Sequence, residues 1–176
     1  MTELATTFDP ASPTLLELRF EGGILRRGFW LYVREITPPR GGALYYVGRT
    51  GDSSSTNAQS PFNRMGQHLG FAQNSSMLRR HLTGRNVEPE GCTFRLVALG
   101  PLEAESIAEG RDEHDQRRDV VAAMERALAE AMTAAGYAVM NTVASHKALD
   151  AARFAEVRAA FARAFPILTL PVDVDR

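Results

Sequence analysis

The chain has 176 residues, 44% of them hydrophobic and 23% charged, with a formal net charge of −1, which suits one globular domain with room for a core. No apolar run approaches the length of a membrane span, and the start at Met1-Thr2-Glu3-Leu4-Ala5 lacks a signal-peptide pattern, so a cytoplasmic protein is expected. The lone Cys92 excludes an internal disulfide and a cysteine-based zinc site.

The net charge hides an asymmetry. Between Ile24 and Arg85 stand nine arginines (Arg26, Arg27, Arg34, Arg40, Arg49, Arg64, Arg79, Arg80 and Arg85) against Glu35 and Asp52, a balance of +7. From Pro101 onward nine basic residues face thirteen acidic ones, a balance of −4. Uneven charge is common in domains, but a stretch whose cations are all arginine also suits bidentate contact with phosphates.

Residues 1–13 are polar and proline-punctuated and are expected to be a flexible N-terminus. A single domain is expected over residues 14–170, and a flexible tail over 171–176. Residues 14–20 alternate enough for an edge strand, which Gly22-Gly23 breaks. Residues 29–36, rich in aromatic and β-branched side chains, predict the first central strand. Residues 37–42, with two prolines and two glycines, form an extended turn, and 43–49 return as the second strand. Residues 51–59 have almost no apolar content and predict a mobile surface loop.

Ser60-Pro61 then starts a helix to about Leu69: serine caps and proline takes the first helical position. Arg64 and His68 are four apart and share its face. Asn74-Ser75-Ser76 offers caps for a second short helix ending near Leu82, stopped by Gly84. Residues 93–99 predict a third strand. Residues 103–116 are acidic and weakly periodic, and Gly110 divides them from a long helix running to about Ala135, stopped by Gly136. Residues 137–143 are a short extended piece. A last helix over 147–164 carries a stripe at Phe154, Val157, Phe161 and Phe165, and Pro166 ends it.

Four side chains early in the chain could converge beside the sheet: the phenols of Tyr32 and Tyr46, the Arg64 guanidinium and the His68 imidazole. That set suits a phosphate, although strand tyrosines more often simply pack. Tyr45 points to the opposite face from Tyr46 and is read as packing. Glu125 falls inside the apolar stripe Val121, Leu128, Met132. A carboxylate on the buried side of a helix is costly without a partner, so it either holds a cation or pairs with an arginine. Glu113, Asp119 and Glu130 are read as solvated acids. His81, His114 and His146 have no partner at metal-ligand spacing, with His146 kept as an outer participant near Asn141.

Taken in order, Trp30-Leu31-Tyr32, Tyr46-Val47-Gly48, Arg64 and His68, Glu125 and Asn141 resemble the GIY-YIG nuclease family over residues 28–142. The resemblance implies an α/β fold: a small, mainly antiparallel three-stranded sheet flanked by helices, here with an extra C-terminal helix. It implies a metal-dependent endonuclease that hydrolyses phosphodiester bonds in DNA, most simply double-stranded, with a homodimer left open. Tyr32 would sit by the attacking water, assisted by His68, Tyr46 would support the phosphate site, and Arg64 would hold the phosphate. Glu125 would bind Mg²⁺ or Mn²⁺, and Asn141 would orient neighbouring groups. Gly48 would let the strand end turn tightly. Arg49, Arg79, Arg80 and Arg85 are read as nucleic-acid contacts. Trp30-Leu31 replaces the first motif's glycine and isoleucine, and the turn and the loop before Arg64 are long, so specificity does not transfer. A non-cleaving nucleic-acid-binding module and an RNA-directed nuclease are the competing readings.

Overall fold

A computed structural model describes residues 13–52, 56–71, 76–105 and 110–169. Residues 1–12 of the flexible N-terminus expected at 1–13, the tail expected at 171–176, the middle of the loop before Ser60, the caps expected at Asn74 and Ser75, and the middle of the acidic segment lie outside the described residues.

The protein is mixed α/β, built on a three-stranded antiparallel sheet in the order β2-β1-β3. The strands are β1 (Phe29–Thr37), β2 (Leu44–Arg49) and β3 (Thr93–Glu103). Among the described residues four α-helices flank them: α1 (Pro61–Leu69), α2 (Met77–Thr83), α3 (Arg111–Ala134) and α4 (Ala151–Ala162). Among the described residues no helix is long and apolar enough to cross a membrane.

The central strand is buried on both faces, and the two-residue alternation of a strand sorts its side chains. Phe29, Leu31 and Val33 join one core with Val47, Val121, Met124, Leu128 and Met132, and Val157 and Phe161 of α4 complete it. Tyr32 and Ile36 face the other way, into a smaller cluster with Tyr46, Leu78, Leu82 and Met140. The free edge of β2 is covered by the segment after α3. Tyr45 N donates to Ala138 O at 3.0 Å, and Met140 N donates to Tyr45 O at 2.8 Å. That coverage removes an exposed strand edge.

Local signals account for most helix ends. Ser60 caps α1 by accepting from Asn63 N, with Pro61 in the first turn. Gly110 precedes α3, whose first turn carries Asp112 and Glu113, the sign that a helix N-terminus favours. Gly84 ends α2, and Gly136, at φ 91°, follows α3.

Three expectations fail, each for a physical reason. Residues 14–20 form no strand, and Leu15, Leu16 and Leu18 are exposed. Alternation supplies faces but not a hydrogen-bonding partner, and the segment pairs with neither edge of the sheet. The third strand does not stop at Leu99 but runs through Gly100-Pro101 to Glu103, with a register shift opposite Phe29 and Leu31. Proline is tolerated there because β3 is an edge strand. The last helix begins at Ala151 because Asp150 caps it, accepting from Arg153 N at 3.0 Å; residues 147–150 are not helical.

Candidate active site

The site is assembled where β1 and β2 run side by side. Tyr32 lies directly across from Gly48. A Cβ on Gly48 would come within 2.5–2.6 Å of the Tyr32 ring edge and hydroxyl. Glycine is therefore demanded by the tyrosine that crosses over it, and not by a strand-end turn as the sequence suggests, since β2 continues to Arg49. Gly48→Ala is expected to lower the unfolding free energy by about 1–3 kcal/mol in urea melts. Unchanged stability would show that the ring can move aside.

Tyr32 is fully buried, and its hydroxyl has no hydrogen-bond partner among the described residues. Two residues on along the same face comes Arg34, 2% exposed, with its guanidinium carbon 4.9 Å from the Tyr32 ring centroid. All three Arg34 side-chain nitrogens lack a partner among the described residues. Tyr46, cross-strand from Arg34, is 7% exposed. The His68 ring meets Tyr46 edge-on at 5.5 Å and Tyr32 at 6.4 Å. No hydrogen bond joins His68 to the Tyr32 hydroxyl, and His68 Nδ1 is without a partner among the described residues.

Arg34 escaped the sequence reading. A mid-strand arginine reads as solvent-facing, and only coverage of both faces of β1 buries it. The available signal was its spacing of two from Tyr32, which puts both on one face.

Arg64 pairs with Asp52 and donates from Nη1 to Gln67 Oε1 at 3.1 Å, and its Nε has no partner among the described residues. Glu125 does lie on the buried side of α3, beside Val121, Leu128 and Met132. Its Oε2 accepts from Arg49 Nε at 2.9 Å. Arg49, read as a nucleic-acid contact, is thus bound to the candidate metal ligand, with one Nη lacking a partner among the described residues. Asn141 accepts from Val47 N at 3.0 Å and donates to Val47 O at 2.7 Å. Its amide grips the backbone between Tyr46 and Gly48, so its influence on the site passes through β2.

The other arginines read as nucleic-acid contacts stand apart. Arg79 donates to Leu69 O, pairs with Glu90 at 2.8 Å and lies over the Phe71 ring. Arg85 donates to His81 O and Met140 O. Arg80 is exposed and contacts Met77. His146 is exposed. No group of three or more metal-ligating side chains occurs among the described residues.

The charges of this cluster act on one another. Burial raises the Tyr32 phenol, while Arg34 and then Arg64 pull it down. Burial lifts Tyr46 well above the phenol range, reinforced by Tyr32 and Glu125. Burial pushes His68 down to about 3, with Arg34 and Arg64 adding to the effect. Burial raises Glu125 to about 7, against the opposing pull of Arg49.

Two of these shifts predict opposite pH slopes. His68 drops from an ordinary 6.5 to about 3 on folding, so stability is full above pH 6.5 and is lost as the pH falls. Glu125 rises from 4.5 to about 7, so its contribution is full below pH 4.5 and is lost as the pH rises to 7. Between pH 4.5 and 6.5 the two oppose each other. The unmodified protein should change little there. Glu125→Gln should gain stability with pH at up to about 1.4 kcal/mol per unit, and His68→Asn should lose it at a similar rate. Urea melts across this window check the signs; equal slopes in all three proteins would contradict the assignment.

The structure therefore brings Tyr32, Tyr46, Arg64, His68 and Glu125 into one mutually interacting cluster, adds Arg34, and anchors Asn141 beside it. No family model, no curated protein and no solved structure matches the chain.

Proposed function

We propose that the protein is a metal-dependent nuclease of the GIY-YIG kind that hydrolyses phosphodiester bonds in DNA. One observation carries the reading: buried polar atoms without partners among the described residues gather at one place. They are the Tyr32 hydroxyl, the three Arg34 nitrogens, Nε of Arg64, one Nη of Arg49 and Nδ1 of His68. Buried polar groups are normally satisfied within a fold. A cluster that is not, and that consists mostly of donors, suits the oxygens of a phosphodiester gathering charge in the transition state.

The metal expectation fits the donors present. Glu125 Oε1 takes no hydrogen bond among the described residues, and Asp52 adds a second carboxylate whose charge acts on Glu125. Mg²⁺ or Mn²⁺ needs oxygen donors and only one or two protein carboxylates, keeping water for the rest. Glu125 would hold the divalent ion, which would supply charge stabilisation to the leaving oxygen.

The chain's own residues do the remainder. Tyr32 orients the attacking water through its hydroxyl. The water's proton passes to solvent as its oxygen bonds to phosphorus; His68, which burial holds neutral with a pKa of about 3, is too weak a base to keep it and packs beside Tyr32. Arg64 donates to the non-bridging oxygens, and Arg34 lowers the cost of negative charge on the Tyr32 phenol from beneath. Tyr46 closes the site against His68, and Asn141 fixes the strand that carries it.

The Arg49–Glu125 and Arg64–Asp52 pairs favour a second reading, a binding module with the same fold that does not cut, because both pairs neutralise groups the chemistry needs. Supercoiled plasmid incubated with Mg²⁺, Mn²⁺ or EDTA separates the two. Nicking or linearisation that requires metal supports the nuclease. Salt-sensitive binding without cleavage under every condition supports the module.

A further inference from the structure

The outward face of α1 carries a second feature, which the chemistry above does not use. Asn63, Gly66 and Gln67 stand at i, i+3 and i+4 and so share one side of the helix. With Asn57 and Gln59 from the chain just before α1, and Arg27 across from them, they line an open groove of about 620 Å³. Four side-chain carboxamides in one groove are an unusual chemical choice. A surface built for phosphates uses cations. Carboxamides offer a paired donor and acceptor, the pattern that reads base edges and matches adenine N6 and N7 in the major groove.

Three details tie the groove to a ligand. Gln59 Oε1 is buried and has no partner among the described residues. Gln67 Oε1 accepts from Arg64 Nη1 at 3.1 Å, so the groove adjoins the side chain that would hold the phosphate. Gly66 sits in the helix interior, where a Cβ would meet nothing within 4 Å. No contact among the described residues requires glycine there, yet glycine in mid-helix costs about 0.5–1 kcal/mol relative to alanine. A bare helix surface flanked by carboxamides lets a ligand approach the backbone closely.

We propose that this face of α1 is a base-reading surface that enters the major groove of duplex DNA and confers sequence preference on cleavage at the neighbouring site. The inference rests on the nuclease reading above. Asn63 is the specificity-determining residue, and Gly66 supplies clearance. The major groove admits a helix, and one duplex can present base edges to α1 while its backbone runs past Arg64.

The test is selection from a random duplex pool by the full chain in EDTA, which holds DNA uncut, followed by affinity measurements on the selected site and a scrambled duplex. The full chain should enrich a motif. Asn63→Ala should lose about 5- to 100-fold of discrimination at one base pair. Its affinity for the scrambled duplex should change by less than about twofold, because phosphate contacts carry no sequence information. Gly66→Ala should raise Tm by about 1–4 °C while weakening binding to the selected site about tenfold. A gain in stability with a loss of binding is not a folding defect. Duplex binding and cleavage without an enriched motif overturns this proposal and leaves the nuclease intact. So does a motif unchanged in Asn63→Ala, or full affinity in Gly66→Ala. Absence of duplex binding by the unmodified chain, or binding to single-stranded RNA alone, overturns both.

Discussion

Tyr32→Phe should reduce cleavage by about 10²- to 10⁴-fold, the range for losing a group that engages the attacking water in the transition state, and should leave the fold at least as stable. The two halves of this result come from the same atom. The Tyr32 hydroxyl is buried without a partner among the described residues. A buried hydroxyl in that state costs about 1–3 kcal/mol, and removing it returns part of that cost without opening a cavity, since the ring remains. A tyrosine kept for packing or for an internal hydrogen bond would behave in the opposite way, losing stability and keeping activity. Single-turnover cleavage and urea melts on the same preparation separate the cases. Retained cleavage would remove Tyr32 from the chemistry.

Glu125→Gln should lower cleavage by about 10³-fold or more at fixed Mg²⁺, several kcal/mol of transition-state stabilisation, and excess Mn²⁺ should not restore it. The amide keeps the side chain's size and can still accept from Arg49. It cannot supply the charge that a hydrated divalent cation requires. Glu125→Ala should additionally lose about 3–5 kcal/mol of stability, because it leaves the Arg49 guanidinium without its acceptor in a largely buried position. If Glu125 serves only as the partner of Arg49, Glu125→Gln will cut normally and Glu125→Ala will merely be unstable.

What the sequence made legible follows from how local each signal is. The start of α1 follows from Ser60-Pro61, and the opposed faces of Tyr45 and Tyr46 follow from strand alternation. The apolar neighbours of Glu125 place it on the inner side of α3 without reference to anything else. Its partner could not be read this way, because Arg49 lies 76 residues earlier. Nor could the grip of Asn141 on Val47, across 94 residues. Gly48 looks like a turn glycine until the register sets Tyr32 across from it. Arg34 looks like a surface cation until helices cover both faces of its strand. The false strand at 14–20 has the same origin, since a segment's own alternation says nothing about whether a sheet edge is free to receive it.

The central claim is that Tyr32 and Glu125 serve one hydrolytic site. Its most direct test is conversion of supercoiled plasmid in Mg²⁺ by the unmodified protein beside the Tyr32→Phe, Glu125→Gln double variant, with DNA binding measured in parallel. Metal-dependent nicks or cuts by the unmodified protein, lost in the double variant while binding persists, are the predicted result. Cleavage that survives the double substitution, or that proceeds equally well in EDTA, would contradict it.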